Sequence, residues 1–275
     1  MTILCYHAID RSWDSPLAVT PDAFSDHIAW LRRHRRAIEL TAAVERIDRS
    51  GRLPRGLVAL TFDDGFACLF ERALGELRRN QLPATVFVVA GTLFPDSGGV
   101  DWVDHPPSDP LRTLSVEQIL GMHASGVRFG SHGLTHRDLT ALTDEECVRE
   151  LRGSRDILQD VLHQPIRFLA YPRGRNDARV RRLAARAGFT HAFTLPEARE
   201  QPGRYAIPRV GVYRGNGVAT LRIKASRWYL PARTSPLFHR ARVIVVRRFR
   251  GGGRPDHLHR AQSSAATNGL AGGAP

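Results

Sequence analysis

Short apolar runs that alternate with helical patterns constrain the fold of this 275-residue chain more than any other feature. The run Leu57–Phe62 is almost wholly apolar, which is typical of a strand covered on both faces. Helical patterns separate it from its neighbours, so the sequence predicts an α/β protein with a largely parallel sheet. Further strand-like runs are found at residues 3–6, 85–89, 127–129, 167–171 and 190–194.

Three helix starts can be identified from their capping residues. Thr20 precedes Pro21, and proline is favoured at the first position of a helix. Ser115 is followed three residues later by Gln118, which is the pattern of a capping box. Thr143 precedes three acidic residues, and we expect the helix that it begins to run to about residue 162.

The net charge of +13 is concentrated at one end of the chain. From residue 221 onward there are 11 Arg or Lys residues and one acid, which leaves 29 bases and 26 acids in residues 1–220. A body so nearly neutral lacks the basic folded surface of a nucleic-acid-binding protein, and the basic end has few aromatic side chains to stack on bases. We therefore expect no nucleic-acid partner.

The cysteines and the start of the chain predict the compartment. Cys5, Cys68 and Cys147 are an odd, scattered set, which favours neither a disulfide framework nor a cysteine zinc site. The first residues lack the basic start and long apolar stretch of a signal peptide, and no apolar run reaches the roughly 18 residues of a membrane span. A reduced, cytoplasmic protein is the expectation.

Composition divides the chain into three parts. Residues 1–215 carry the alternating pattern and are predicted to form the main domain. Residues 216–250 are predicted to be a basic, partly helical extension. Residues 251–275 are rich in Gly, Ala and Ser and nearly devoid of large apolar side chains, so we expect a disordered tail.

Two clusters of polar residues follow predicted strands. Asp63 and Asp64, in Thr-Phe-Asp-Asp-Gly, come directly after Leu57–Phe62, at the end of the strand where β/α enzymes place their chemistry. A simple Asp-Gly turn is the alternative reading. His132 and His136, in Ser-His-Gly-Leu-Thr-His, follow the run at 127–129. Two His and one Asp make a three-ligand set that leaves a coordination position open, the arrangement of catalytic zinc.

The two clusters resemble, in order and spacing, the first two motifs of the polysaccharide deacetylases, the NodB-homology family of carbohydrate esterases. The start of the chain and residues 168–174, Phe-Leu-Ala-Tyr-Pro-Arg-Gly, resemble the opening and a variant third motif of the same family. The resemblance covers about residues 2–213. It implies a distorted (β/α) barrel of the NodB-homology type, with residues 1–215 as its catalytic domain.

The resemblance also implies a site and a reaction. Asp64, His132 and His136 match the metal ligands, and Asp63 matches the catalytic base. The implied cofactor is a divalent ion, zinc in the first place, with cobalt or nickel as alternatives. The expected reaction removes acetyl from an N-acetylated sugar of a glycan or glycolipid, with a metal-bound water as nucleophile. An O-acetyl esterase and a catalytically weak glycan-binding relic are the alternatives.

Three departures from the family pattern leave parts of the site open. Ala170 stands where the third motif usually has an arginine that orients the base, and Arg167 or Arg173 could replace it. The family's late Leu-x-x-His, which supplies a general acid, is missing after residue 200. His7 follows the first strand and is the candidate for that role, with a buried structural histidine as the alternative. Trp102 could stack on a sugar or anchor the core.

The basic extension suggests where the protein works. Residues 218–250 hold nine bases and no acid, with apolar residues among them. Basic groups beside an anionic lipid surface contribute about 1 kcal/mol each before screening. Our hypothesis is a cytoplasmic enzyme peripheral to the inner membrane face, near lipid-linked glycans. Solvated arginines on a helix packed against the barrel are the alternative.

Overall fold

The computed structural model describes residues 2–50, 56–94, 99–107, 110–196 and 203–235. The predicted tail at 251–275 and the last part of the extension, 236–250, lie outside these residues. Eleven strands are found within the described ranges: β1 (Thr2–Tyr6), β2 (Ala8–Ile9), β3 (Ala18–Val19), β4 (Arg36–Ala37), β5 (Leu57–Phe62), β6 (Ala84–Val88), β7 (Arg128–Ser131), β8 (Phe168–Ala170), β9 (His191–Thr194), β10 (Ile207–Pro208) and β11 (Val210–Gly211).

One parallel sheet of nine described strands forms a nearly closed barrel. Its order is β10-β9-β8-β7-β6-β5-β1-β11, and β4 adds to β5 from the side. The strands at the two edges of the sheet, β10 and β11, are neighbours in the chain and are separated only by Arg209. β10 pairs with β9 while β11 pairs with β1, so the segment 207–211 joins the first strand to the last. The distorted (β/α) barrel predicted from the sequence is confirmed.

Helices connect the strands and begin where the capping residues predict. Thr20 accepts a hydrogen bond from the N–H of Ala23, and both Ser115 and Thr143 form complete capping boxes. A π-helical turn, Leu69–Ala73, leads into the third helix. The helices are α1 (Pro21–His34), α2 (Leu40–Ser50), α3 (Leu74–Arg79), α4 (Val116–Ala124), α5 (Asp144–Leu162), α6 (Ala178–Arg186), α7 (Val218–Lys224) and α8 (Tyr229–Arg233).

Alternation along the strands separates two cores. One set of strand residues packs with the surrounding helices in the larger cluster, for example Leu60 on β5. Their neighbours in sequence, such as Ala59 and Phe87, form a second cluster inside the barrel. α2 contributes Leu40 and Val44 to this second cluster and so closes the end of the barrel near the strand starts. The opposite end, where the strands finish, is left for polar side chains.

The first part of the extension packs on the body. Leu221 of α7 is buried in the larger cluster, and α7 contacts α1. Lys224, the only lysine in the chain, is buried as well and donates to the carbonyl of Gly211 at 2.8 Å and to Asn216 Oδ1 at 2.6 Å. Among the described residues, no helix has both the length and the apolar character that crossing a bilayer requires.

Candidate metal centre and active site

The four predicted site residues of the two motifs meet at the end of the barrel where the strands finish. Asp63 and Asp64 directly follow β5, and His132 directly follows β7, two strands along in the sheet. His136 lies in the loop after β7, which brings its side chain back to the same place. All four are buried, with exposed fractions of 1% for Asp63, 2% for Asp64, 2% for His132 and 6% for His136. The sheet therefore brings together the residues that the sequence separates by about 70 positions.

Two of these residues hold unusual backbone conformations. Asp64 has φ 67° and His136 has φ 60°, the left-handed region that residues with a Cβ atom seldom occupy. Each such residue costs stability and persists only because its surroundings impose it, and such positions cluster at functional sites. The loop that carries the histidines is held by buried Glu150 of α5, which accepts hydrogen bonds from the N–H groups of Leu134 at 3.0 Å and Thr135 at 2.9 Å.

Asp64, His132 and His136 present three donor atoms around one point. Asp64 Oδ1 lies 3.4 Å from His136 Nε2 and 3.6 Å from His132 Nε2. Ligands about 2.1 Å from a tetrahedral ion are about 3.4 Å apart, so these separations fit a zinc-type site. His132 Nδ1 donates to the carbonyl of Ala170 at 2.8 Å, which leaves the Nε2 lone pair directed to the cluster.

Trp102 belongs to this site rather than to the core. Its Nε1–H donates to Asp64 Oδ1 at 3.2 Å, and its ring stacks on that of His136 with centroids 5.0 Å apart. Both contacts hold a predicted ligand in place. The sequence offered sugar stacking or core packing for Trp102 and did not suggest this role, because no spacing rule connects it to the two motifs.

The charges of the cluster fit a bound cation. Burial and the negative charge of Asp63 raise the pKa of Asp64 to about 8. Burial lowers the pKa of His132, and it lowers that of His136 to about 2. The histidines are therefore neutral, as metal ligands must be, while the Asp64 carboxylate touches no cationic side chain among the described residues. Asp64 is thus a buried carboxyl that no described cationic side chain contacts, and a divalent ion could take the place of its proton.

Asp63 is paired differently, through Arg209. The guanidinium donates from Nη1 to Asp63 Oδ1 and from Nη2 to Oδ2, both at 2.7 Å, and both side chains are fully enclosed. Burial acts to raise the pKa of Asp63, but the charge and hydrogen bonds of Arg209, together with the nearby His132 and His7, outweigh burial and hold that pKa well below its usual range. Asp63 is therefore an ionised carboxylate beside the candidate metal site, with its orientation fixed by a bidentate contact.

The arginine that orients Asp63 comes from a different segment of the chain than the sequence suggested. Neither Arg167 nor Arg173 contacts Asp63 in the described structure. Arg209 stands between β10 and β11, the segment that closes the barrel, and its side chain points into the interior that Ala170 also faces. An arginine inside the apolar segment Ile-Pro-Arg-Val was the available signal, because a charged residue in a buried strand requires a buried partner.

Two backbone groups of the third motif are occupied within the fold. Backbone N–H groups near an active site can stabilise an oxyanion, and those of residues 171–174 lie next to the candidate centre. The N–H of Tyr171 donates to the carbonyl of Phe193, and that of Gly174 donates to the carbonyl of Tyr171. These two groups are therefore not available to a substrate.

His7 lies beside Asp63, as its place after β1 predicts. One ligand atom each of Cys5, His7 and Asp63 lie within 4.8 Å of one another, and the Cys5 thiol donates to Asp63 Oδ2 at 3.3 Å. The His7 ring stacks on Tyr213 with centroids 6.3 Å apart. Burial lowers the pKa of His7 to about 4, so the imidazole is neutral at pH 7. The Cys5 group is less suited to a metal ion than the Asp64 group, because the guanidinium of Arg209 already neutralises Asp63 and burial raises the pKa of the Cys5 thiol.

A family model described as polysaccharide deacetylase matches residues 50–192 of the chain. The chain belongs to the polysaccharide deacetylase family. Both motifs of the candidate centre lie inside the matched range, and the resemblance identified from them is confirmed. His7 and Arg209, the two residues that complement Asp63, lie outside it.

Relatives of this family member agree in sequence and fold. A poly-beta-1,6-N-acetyl-D-glucosamine N-deacetylase of Staphylococcus epidermidis is 26% identical over 208 residues, which cover 70% of this chain and 67% of the relative. The structure of a Streptococcus pyogenes deacetylase, PplD, in complex with acetate has a TM-score of 0.70 at 24% identity, covering 82% of this chain and 98% of that one. IcaB from Ammonifex degensii has a TM-score of 0.66 at 25% identity, covering 82% and 95%.

The first prediction concerns ion binding by Asp64, His132 and His136. We expect one divalent ion per chain, measured by equilibrium dialysis and elemental analysis, and loss of that ion in the His132→Ala, His136→Ala double variant. Full ion content in the double variant would contradict the assignment. His34→Ala, which changes an exposed histidine at the end of α1, is the matched control.

The first prediction includes the pH dependence of ion binding. With the pKa of Asp64 near 8 and both histidines neutral, the free site at pH 7 holds one proton that the ion must displace. Apparent ion affinity should therefore fall as the pH is lowered below 8, by about tenfold per unit. Calorimetry in buffers of different ionisation enthalpy should record release of about one proton per ion at pH 7. No proton release would show that Asp64 is already ionised in the free site.

The second prediction concerns the pair of Asp63 and Arg209. Arg209→Met should lower the free energy of unfolding by about 3–5 kcal/mol, because it leaves a buried carboxylate without its partner. Adding Asp63→Asn should recover much of that loss. Arg204→Met, which breaks an exposed contact with Asp48, should cost about 1 kcal/mol or less in the same denaturant titration. If Arg209→Met and Arg204→Met lower the free energy of unfolding equally, the buried pair matters no more to stability than the exposed contact.

Proposed function

We propose that the chain is a metal-dependent hydrolase that removes acetyl groups from an N-acetylated sugar of a glycan or glycolipid. One observation carries the proposal: a three-residue candidate ion site adjoins a carboxylate that Arg209 holds ionised. The relative from Staphylococcus epidermidis, which is named for N-deacetylation of poly-beta-1,6-N-acetyl-D-glucosamine, adds support for an acetylated glucosamine polymer as the substrate class.

Asp64, His132 and His136 would hold the ion. A divalent ion, with zinc favoured by the two nitrogen donors and one oxygen donor, supplies Lewis acidity toward the acyl oxygen and toward water. The protein's own contribution is to keep the three donors in place through Trp102, the Ala170 carbonyl and the loop that Glu150 anchors. Cobalt and nickel remain alternatives, because both accept the same donors.

Asp63 is proposed as the base that takes a proton from the attacking water. Each carboxylate oxygen has a second lone pair, so Asp63 can accept a further hydrogen bond while it remains bound to Arg209. The low pKa makes Asp63 a weak base that gives its proton up readily. A neutral imidazole, that of His7, lies next to it and can receive that proton.

His7 is proposed to pass the proton to the leaving nitrogen. An amine leaves an acyl carbon only when it is protonated, whereas an alcohol is the better leaving group, so a proton donor on this side of Asp63 favours an amide substrate over an ester. The same argument weighs against a glycan-binding relic, because a relic needs neither an ionised base nor a neighbouring imidazole. In this proposal Arg209 orients Asp63 in place of the third-motif arginine, at whose position this chain has Ala170. His7 takes the place of the missing late histidine.

The third prediction tests the reaction itself. The purified chain with added zinc, cobalt or nickel should release acetate from N-acetylated saccharides faster than from O-acetylated ones. Asp63→Asn should lower kcat by about 100-fold or more with the ion retained, because an amide cannot accept the proton. Asp22→Asn, an exposed acid on α1, is the control. Acetate release from neither substrate class, with the ion demonstrably bound, would overturn the proposed function.

The fourth prediction concerns His7. His7→Gln keeps a side chain of similar size and polarity but cannot carry the proton. We expect kcat on an amide substrate to fall by about 100-fold, while turnover of an activated ester, which needs little help from an acid, falls much less. An equal fall on both substrates would return His7 to a purely structural role in the core.

We also propose that the extension docks the enzyme on the inner face of an anionic membrane. Ile223 and Trp228 are 63% and 66% exposed, the largest exposed fractions among the described bulky apolar residues. Exposed Arg222 and Arg227 lie beside them, and residues 218–235 contain no acid. Tryptophan and arginine together are typical of helices that bind the surface of a bilayer.

The fifth prediction tests docking with vesicles that contain about one-third anionic lipid. The chain should sediment with them at low salt, and binding should weaken as salt is raised. Trp228→Ala with Arg222→Glu and Arg227→Glu should abolish sedimentation and leave activity on a soluble saccharide unchanged. Leu120→Ala on α4 removes another exposed apolar side chain and serves as the control. Absence of binding by the unaltered chain would contradict the docking proposal.

A further inference from the structure

A pocket of about 200 Å³ opens between the active site and the C-terminal extension. His7 and Arg209 line its inner side. Tyr229 and Arg233 of α8 line its outer side, and Arg173 of the turn after β8 completes the wall. We call it the extension pocket. A group bound there would lie next to the atoms that the proposed reaction uses.

The extension pocket has a strongly positive lining. Arg173, Arg209 and Arg233 all contribute to it, and its lining residues include no carboxylate. Only Arg209 is neutralised, by Asp63. In the part of the chain that the structure describes, neither Arg173 nor Arg233 contacts an acid, and the one recorded polar contact of the Arg173 side chain is a long one of 3.4 Å to the carbonyl of Trp102. Arg173, whose charge also acts on nearby Asp64, and Arg233 thus line the same small space without an acid in contact with either.

Two further polar atoms of the lining residues have no partner. His7 Nδ1 and Arg209 Nε are buried and make no hydrogen bond within the described structure. Buried polar atoms are nearly always satisfied, so an unsatisfied pair in one pocket needs an explanation, and a ligand is one. The Arg173 backbone adds a second sign of function, since its φ of 58° is the strained left-handed conformation.

The size of the pocket limits what it can take. Pockets for whole drug-sized ligands measure about 300–1,000 Å³, so 200 Å³ suits a single charged group and not a further stretch of glycan. The guanidinium fork matches phosphate and carboxylate oxygens in pairs. Tyr213 and Tyr229, which also line the pocket, can contact the ring or linkage that carries the charge.

We infer that the extension pocket binds an oxyanion, a phosphate or a carboxylate, attached to the sugar that loses its acetyl group. The inference rests on the proposed function and narrows its substrate class to acetamido sugars that carry a negative charge. Arg233 of the extension would bind that charge. Arg173 and Arg233 approach from separate elements, so the anion would also fix the sugar's orientation toward Asp63 and His7.

Three sugars that share one acetamido ring provide the test. They are the neutral methyl glycoside of N-acetylglucosamine, N-acetylglucosamine 1-phosphate, and N-acetylmuramic acid, which carries a carboxylate. We expect kcat/KM for acetate release to be at least about tenfold higher for one anionic sugar than for the neutral one, as two charge-assisted hydrogen bonds allow. A higher kcat/KM for N-acetylglucosamine 1-phosphate would identify the bound group as phosphate, and a higher kcat/KM for N-acetylmuramic acid would identify it as carboxylate.

Variants assign the preference to the pocket. Arg233→Gln should remove most of the preference and leave kcat/KM for the neutral sugar unchanged, because Arg233 touches no group of the proposed reaction. Arg222→Gln, an exposed arginine on α7 outside the pocket, should retain the preference. Equal kcat/KM for the three sugars in the unaltered chain overturns the inference. So does a preference that survives both Arg173→Gln and Arg233→Gln.

A binding measurement separates this inference from the proposed function. The unaltered chain in excess chelator is titrated with each sugar, and affinity is followed by calorimetry, which needs no turnover. Arg233-dependent binding of an anionic sugar by a chain that releases no acetate would sustain the pocket and overturn the reaction. Acetate release without any anion preference, and without Arg233-dependent binding, would sustain the proposed reaction and overturn the inference about the extension pocket.

Discussion

The bidentate contact between Asp63 and Arg209 is the interaction on which the rest of the site depends. It fixes the carboxylate beside the candidate metal centre and helps to keep it ionised although it is buried. It also ties together the barrel wall, because Asp63 follows β5 while Arg209 lies in the segment that joins β9 to β1. A buried ion pair contributes little net stability compared with an apolar pair, but losing one partner is costly. The pair therefore makes correct closure of the barrel a condition for both stability and chemistry.

The neighbouring acid has the opposite arrangement. Asp64 contacts no cationic side chain in the described parts of the chain, has a strained backbone, and lies at ligand distance from two neutral histidines. The two carboxylates are adjacent in sequence but differ in function because their surroundings differ. Asp63 contacts a guanidinium, whereas Asp64 lies with two histidines whose nitrogen atoms could share an ion with it. This is how the fold gives two identical side chains different chemistry.

Much of the site could be predicted from sequence because its residues follow strands. Short apolar runs located β5 and β7, and the ends of parallel strands meet at one edge, so the residues that follow them, Asp64 and His132, lie close together. Arg209 and Trp102 escaped prediction for a physical reason. Neither lies at a fixed spacing from the motifs, and each reaches the site from a segment whose course depends on tertiary packing. The short strands β10 and β11 were missed too, since two-residue strands have no periodicity to detect.

Closure of the barrel by residues 207–211 has a consequence for the order in which the site is made during synthesis. The two motif clusters are complete once residue 136 has been added, so all three donor residues are synthesised well before the segment that closes the barrel. The partner of Asp63 arrives only with residue 209, when the end of the domain returns to pair with its first strand. Until then the barrel has an open seam and a buried acid without its counter-charge. A chain that ends before residue 209 therefore carries the three donor residues of the candidate centre but lacks the guanidinium that orients Asp63.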